Sequence, residues 1–236
     1  MMSAACGEDE DPVNLPSASR EGRLEFRPAP PVETVGRAGS ITLQVAPGTP
    51  AASAYVPEGS RPMRLVLFLH GAGGAAAESV KVLMPFADEN GLLLVAAQSV
   101  RSTWDVIAGG FGPDVHNIDR LLEAVTVAYP VDSLTVAGFS DGASYALSLG
   151  IGNGDVFDSV LALSPGFSAA RVSNGRPRFF VSHGTQDQVL PIDRCSRRIV
   201  PALERGGYDV TYEEFDGGHT VPPAIKHSAM DWLTKR

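Results

Sequence analysis

The sequence is poor in cysteine and in positive charge, and it has no hydrophobic run long enough to span a bilayer. Only two cysteines, Cys6 and Cys195, occur in 236 residues, which leaves no disulfide framework and no zinc-ligand spacing. Lysine and arginine number 19 against 27 aspartates and glutamates, so the net charge of −8 argues against general nucleic-acid binding. Because no apolar stretch reaches about 20 residues, we expect no integral membrane segment.

The first 36 residues differ in composition from the rest of the chain. They are rich in Pro, Glu, Asp, Ser and Ala and show no lasting apolar period. Such a segment does not bury enough apolar surface to offset the entropy of ordering it. We therefore expect a flexible tail over residues 1–36 and a single domain over residues 37–236.

The N-terminus "MMSAACGEDEDP" also bears on the compartment. It lacks the apolar core of a secretion signal, so the sequence as written predicts a cytoplasmic protein. The stretch "SAACG" nevertheless resembles the end of a bacterial lipoprotein cleavage site. If translation starts upstream or the chain has been trimmed, the alternative is an exported lipoprotein anchored through Cys6.

Strand and helix signals alternate over about 190 residues after the tail. "SITLQVA" and "SAYVP" predict an antiparallel pair, and the apolar runs that follow, such as "MRLVLFLH" and "LLLVAAQ", predict strands buried on both faces. Amphipathic segments between them predict helices, including one long helix over residues 77–90. The alternation indicates an α/β fold with a mainly parallel central sheet and helices on both faces. The segments between strands are short, so we expect no large cap domain.

Four predicted strands are followed by residues of types that occur in catalytic or binding sites. "HGAGG" (residues 70–74) follows one strand, and Ser140 follows another within "GFSDG". Asp187 lies in "TQDQVLP" and His219 in "DGGHT", each just beyond a further strand. Parallel strands bring their carboxyl ends to one edge of the sheet, where ligands bind in such folds.

These residue types suit acyl transfer. A serine hydroxyl needs an adjacent base to act as a nucleophile, histidine can take and return the proton, and a carboxylate orients the imidazole. The motif Gly-x-Ser-x-Gly between a strand and a helix is typical of a nucleophile elbow, and Ser–Asp–His is the corresponding chain order. Read alone, the motif is equally compatible with a helix cap.

The pieces "LHGAGG", "WDV", "GFSDGASYALSLG", "SHGTQDQVLP" and "FDGGHTVP" together resemble the α/β-hydrolase superfamily. Within it they are similar to the phospholipase/carboxylesterase group, which includes acyl-protein thioesterases and polyhydroxybutyrate-depolymerase-like esterases. They span residues 65–223 in the family's order. Asp141 departs from the Gln that is common at this position in the thioesterase branch, which argues against acyl-protein substrates.

The resemblance implies a role for each matching residue. Ser140 would be the nucleophile, Asp187 the orienting acid and His219 the base. The backbone N–H groups of Ala72 and Asp141 would form the oxyanion hole, with Gly73 as the alternative to Ala72. Asp216 is the rival acid. Trp104 is either a wall of the substrate pocket or a core residue.

The sequence therefore predicts a serine carboxylic-ester hydrolase that acts through an acyl-enzyme on short or extended esters, without cofactor or metal. A P-loop is ruled out at "HGAGG" because no Gly-Lys-Ser/Thr follows the glycines. Thioester or polyester hydrolysis uses the same machinery and stays open. A non-catalytic binding protein of the same fold is the alternative from another class.

Overall fold

The computed structural model describes residues 15–28, 36–59 and 63–235. Its centre is an eight-stranded sheet in the order β1-β2-β4-β3-β5-β6-β7-β8. The first two strands pair antiparallel, β2 joins β4 antiparallel, and all other neighbours are parallel. The strands are β1 Gly39–Leu43, β2 Ala52–Val56, β3 Met63–Leu69, β4 Leu92–Ala97, β5 Val131–Phe139, β6 Ser159–Leu163, β7 Arg178–Gly184 and β8 Val210–Phe215.

Helices cover the two faces of this sheet, as the strand–helix alternation predicts. They are α1 Ser17–Arg20, α2 Ala76–Ser79, α3 Ala87–Asn90, α4 Pro113–Ala128, α5 Asp141–Gly152, α6 Ser196–Arg205 and α7 Pro223–Thr234. Neighbouring side chains of β3 point into opposite cores. Leu67 belongs to the core that includes residues of α4, α5 and α6, whereas Phe68 belongs to the core that includes residues of α2, α3 and α7. The near-continuous apolar runs of the central strands follow from this burial on both sides.

The helix expected over residues 77–90 is interrupted. The segment consists of α2, two short 3₁₀ turns over Val80–Val82 and Met84–Phe86, and α3. Pro85 lies at the start of the second turn, and a proline lacks the N–H that an α-helix interior needs. The apolar spacing survives because the broken segment still packs one side against the sheet.

Residues 15–28, which we call the N-terminal strap, pack against the domain although the sequence predicts a flexible tail there. Leu24 is only 1% exposed and Phe26 is buried as well. The Asn153 side chain accepts the Leu24 N–H at 2.9 Å and donates to the Gly22 carbonyl at 2.9 Å. Arg23 forms a two-pronged ion pair with Asp155. A few isolated apolar residues therefore anchor a segment whose overall composition resembles a linker.

Residues 1–14 and 29–35 of the predicted tail lie outside the described residues, and with them Cys6, on which the lipoprotein alternative depends. Among the helices of residues 15–28, 36–59 and 63–235, none combines the length and apolar character that a bilayer span requires.

The strap's buried leucine gives the first testable prediction. Leu24→Ala should lower the free energy of unfolding by about 2–4 kcal/mol, because it leaves a cavity where the strap meets the domain. Glu25→Ala, a change at an exposed neighbouring position, is the matched control and should change stability little. Urea denaturation of both variants measures the difference. Equal stabilities would mean that the strap is not docked in solution.

Candidate active site

The turn between β5 and α5 holds Ser140 in an unusual backbone conformation. Ser140 has φ 59° and ψ −121°, in the left-handed half of the map that residues other than glycine rarely adopt. Such strain persists only where the surrounding structure fixes it. A turn this sharp between a strand and a helix is typical of a nucleophile elbow, in which the serine hydroxyl stands above the edge of the sheet.

The two flanking glycines are required by backbone packing. A Cβ on Gly142 would lie 2.0 Å from the Leu69 carbonyl oxygen, and one on Gly138 would lie 2.3 Å from the Gly142 carbonyl. Neither neighbour is the end of a flexible side chain, so neither clash can be relieved cheaply. Gly142 thus permits the approach of α5 to β3, and Gly138 permits the approach of α5 to β5, the strand that precedes it.

The structure brings Ser140, Asp187 and His219 together in one chain of hydrogen bonds. The His219 Nε2 atom lies 2.8 Å from Ser140 Oγ, and His219 Nδ1 lies 2.6 Å from Asp187 Oδ2. Because the carboxylate only accepts, Nδ1 carries the proton and donates it to Asp187. Nε2 is then the acceptor for the serine hydroxyl, and the ring can take the serine proton.

Asp187 is buried and held by several donors. Its Oδ1 atom accepts the N–H groups of Val189 at 2.9 Å and Leu190 at 2.8 Å. Burial alone would raise the pKa of Asp187, but the Leu190 amide and the His219 ring outweigh it and keep the pKa below its ordinary value. Asp187 is therefore ionised around neutral pH.

The rival acid Asp216 faces a different partner. Its side chain is exposed, and its Oδ1 atom accepts a hydrogen bond from Gln186 Nε2 at 2.5 Å. Of the two carboxylates, it is Asp187 that contacts the imidazole of His219.

The turn after β3 is braced from behind by the loop after β4. Gly73, with φ 68°, donates its N–H to the Ser102 carbonyl at 2.6 Å. The His70 ring, buried beside the turn, accepts the Ser99 N–H through Nε2 at 3.2 Å and donates through Nδ1 to the Gly71 carbonyl at 2.7 Å. Burial lowers the pKa of His70, in keeping with a neutral bracing ring.

Two backbone amides beside Ser140 remain available to a ligand. Among the described residues, no acceptor is found for the Ala72 N–H, nor for that of Asp141 at the first turn of α5. The turn lies close to the serine, since a Cβ on Gly71 would be 3.3 Å from Ser140 Cβ. The Asp141 carboxylate is occupied elsewhere and accepts a hydrogen bond from Thr103 Oγ1 at 2.7 Å.

Trp104 does not form a pocket wall, contrary to one of the two interpretations that the sequence leaves open. Its side chain is fully buried, stacks on Tyr145 at 5.1 Å between ring centroids, and donates through Nε1 to the His70 carbonyl at 2.8 Å. The indole packs in the core and satisfies its one polar group there, so it supports the turn from inside.

An open, largely apolar cavity of about 320 Å³ lies on the other side of the turn. It lies against the glycine turn, beside Phe139, which precedes Ser140, and Val221, which follows His219. No sequence signal identifies it, because the lining comes from separate elements. The lining residues are Phe68, His70, Gly71, Ala72, Gly74, Ala75, Glu78, Ser79, Val82, Phe139, Val221 and Lys226.

Comparison with known proteins identifies the fold. Esterase PE8 superposes with a TM-score of 0.63 at 22% identity, covering 78% of this chain and 96% of that one. FphF, a fluorophosphonate-binding serine hydrolase of Staphylococcus aureus, gives 0.66 at 15% identity, covering 85% and 100%. Est1E from Butyrivibrio proteoclasticus gives 0.61 at 13% identity, covering 83% and 98%. The chain thus has the α/β-hydrolase fold. No family model matches the sequence, and no curated protein does.

The glycines of α5 provide a matched pair of substitutions. Gly142→Ala should strongly destabilise the protein, because the new methyl group meets the β3 backbone. Gly152→Ala, at the other end of α5, meets nothing closer than 3.6 Å and should be neutral or stabilising by up to about 1 kcal/mol. Thermal unfolding of both variants tests this. Similar melting temperatures would show that α5 does not approach β3 as closely as described.

Proposed function

We propose that this protein is a serine hydrolase that cleaves carboxylic esters through an acyl-enzyme. The observation that carries the proposal is the hydrogen-bonded chain from Ser140 through His219 to Asp187, beside two unoccupied backbone amides. Similarity to esterases and serine hydrolases agrees with this assignment, although at these identities it speaks only for the fold.

In the first half-reaction, Ser140 Oγ attacks the ester carbonyl while His219 Nε2 takes the hydroxyl proton. The ionised Asp187 stabilises the imidazolium that forms and holds the ring in the Nδ1–H tautomer. His219 then returns the proton to the leaving alcohol. The acyl group remains on Ser140 as an ester.

The carbonyl oxygen becomes negative during this attack and needs fixed donors. The N–H groups of Ala72 and Asp141 are the proposed pair, and a donor of this kind is worth about 3 kcal/mol in the transition state. Gly73 is the weaker choice for the second donor because its N–H already binds the Ser102 carbonyl. In the second half-reaction, His219 takes a proton from the water that attacks the acyl-enzyme carbonyl, with the same oxyanion donors. The bond between the acyl group and Ser140 Oγ then breaks, His219 returns the proton to Oγ, and the carboxylic acid leaves.

The proposed substrates are esters with short or extended chains. The cavity beside the turn, at about 320 Å³, is at the small end of ligand pockets, and its apolar lining suits an aliphatic or aromatic group. Hydrolysis of p-nitrophenyl esters of increasing acyl length, run beside thioester and polyester substrates, defines the preference. The motifs favour the phospholipase/carboxylesterase group within the superfamily.

Labelling with a serine-directed fluorophosphonate tests the nucleophile. We expect one label per chain, mapped by mass spectrometry to Ser140 and abolished in Ser140→Ala, whose melting temperature should stay close to that of the native protein. Ser168→Ala, at an exposed serine of the loop after β6, is the control and should label normally. Labelling at another serine would overturn the assignment of Ser140, and no labelling of folded protein would favour a binding protein instead.

The two candidate acids can be separated by matched amide substitutions. Asp187→Asn should reduce kcat by about 10⁴-fold, as in other serine triads, because the amide no longer stabilises the correct imidazole tautomer. Asp216→Asn should leave kcat nearly unchanged. Steady-state kinetics on one short ester measures both. A larger loss in the Asp216 variant would reverse the assignment.

A further inference from the structure

A second histidine lies against Asp187 and has no part in the proton transfers above. His183 is in β7, four residues before Asp187, and both side chains are completely buried. Its Nε2 atom is 3.2 Å from Asp187 Oδ2, the same oxygen that accepts from His219.

The partners of the His183 ring define its protons. Nε2 lies 2.8 Å from the Leu190 carbonyl, which only accepts, so Nε2 carries a hydrogen. The Leu190 carbonyl is the hydrogen-bond acceptor for Nε2–H, and the same nitrogen lies within 3.2 Å of Asp187 Oδ2. Nδ1 lies 2.6 Å from Ser196 Oγ. Because burial lowers the pKa of His183, the ring is neutral, and Ser196 donates to Nδ1.

These contacts close a ring around the carboxylate. Leu190 donates its N–H to Asp187 Oδ1 and accepts the His183 proton at its carbonyl. His183 thereby holds the turn that carries Asp187, and its Nε2–H group lies beside the carboxylate oxygen that faces His219. Asp187 has donors on both oxygens, which leaves its carboxylate a single orientation.

We propose that His183 is a positioning residue, a buried neutral donor that keeps Asp187 Oδ2 directed at His219 Nδ1. This inference rests on the proposed roles of Asp187 and His219. It assigns His183 no contact with the substrate.

Neutrality is what makes a histidine suitable in this place. A cation at the same distance would compete with the His219 imidazolium for the charge of Asp187. The other ionisable groups facing this cluster are Glu214 on β8 and the Cys195 thiol before α6. The Glu214 carboxylate is held by Arg197 through two hydrogen bonds, so it does not require a charged His183 as a partner.

Removing the donor has two expected consequences. The carboxylate gains rotational freedom, which lowers kcat. Oδ2 also keeps more of its negative charge for His219, which stabilises the imidazolium form. The acid limb of the pH–rate profile therefore moves to higher pH, an effect that a loss of packing alone does not produce.

His183→Gln and His183→Met make a matched pair for the test. The two replacements have the same length, but only glutamine retains an N–H near the position of Nε2. We expect kcat to fall about tenfold in the methionine variant, by analogy with the lower end of the loss when a hydrogen-bonding partner behind a metal ligand is removed. The glutamine variant should recover most of this loss. KM for a short ester should be similar in both, and the acid limb should shift only in the methionine variant.

Ser196→Ala carries the same test if the methionine variant does not fold. It removes the donor to Nδ1 without changing the ring, so we expect a smaller shift of the acid limb in the same direction. Unchanged kcat and pH profile in folded His183→Met, or in folded Ser196→Ala where His183→Met does not fold, would overturn the proposal. Equal losses in the glutamine and methionine variants with an unmoved acid limb would overturn it as well.

An NMR measurement separates this inference from the proposed function. The Nδ1–H proton resonance of His219, which reports its hydrogen bond to Asp187 and is assigned by its loss in His219→Ala, should shift in His183→Met and stay near that of the native protein in His183→Gln. This readout needs no turnover. Failure of ester hydrolysis with the expected NMR shift would reject the function and keep the positioning role, whereas normal hydrolysis without the shift would do the reverse.

Discussion

The close approach of α5 to the end of β3 is the constraint on which the site depends. At Gly142 the first turn of the helix lies against the Leu69 and His70 carbonyls with no space for a methyl group. The same contact forces the Ser140 backbone into its strained conformation and sets the serine beside Gly71. The separation between the Ser140 hydroxyl and the glycine turn is thus fixed by contact between the backbone of α5 and the backbone at the end of β3. Interiors this closely packed do not yield to small changes of volume.

The residues behind the turn extend this rigidity by polar contacts. The His70 ring and carbonyl, the Trp104 indole and the Ser102 carbonyl connect the glycine turn to the loop after β4. The His70 and Trp104 side chains are buried and have partners for their polar groups, and buried polar networks add rigidity when they are fully satisfied. His70 and Trp104 are residue types that often occur in active sites, but here both support the glycine turn.

The sequence predicts the strands and their ends well because both rest on local signals. Apolar runs identify the buried strands, and a Gly-x-Ser-x-Gly turn has few structural solutions. The contact of His219 with Asp187 rather than Asp216 depends on where β7 and β8 end relative to each other. The positions of the motifs in the sequence favour Asp187 as this partner, but they do not determine the directions of the Asp187, Asp216 and His219 side chains.

Other features depend on contacts between distant parts of the chain and leave no local pattern. The burial of Trp104 is decided by Tyr145 and the His70 carbonyl, and the donor role of His183 by Leu190 and Ser196. The docking of the strap is not predicted from the sequence for the same reason, since Leu24 and Phe26 are isolated apolar residues in a polar segment. The break at Pro85 is different, because proline is a local signal that the apolar spacing of residues 77–90 obscured.

The strap also has a consequence for the order of events during synthesis. Its anchoring contacts join Leu24 to Asn153 and Arg23 to Asp155, which are 129 and 132 residues apart in the chain. Contacts of such long range form late because the intervening chain must first be closed into a loop. The segment that leaves the ribosome early therefore has no docking surface until β5 and α5 have been made. The strap therefore docks onto a sheet that has already formed. It stabilises the folded protein and does not nucleate folding.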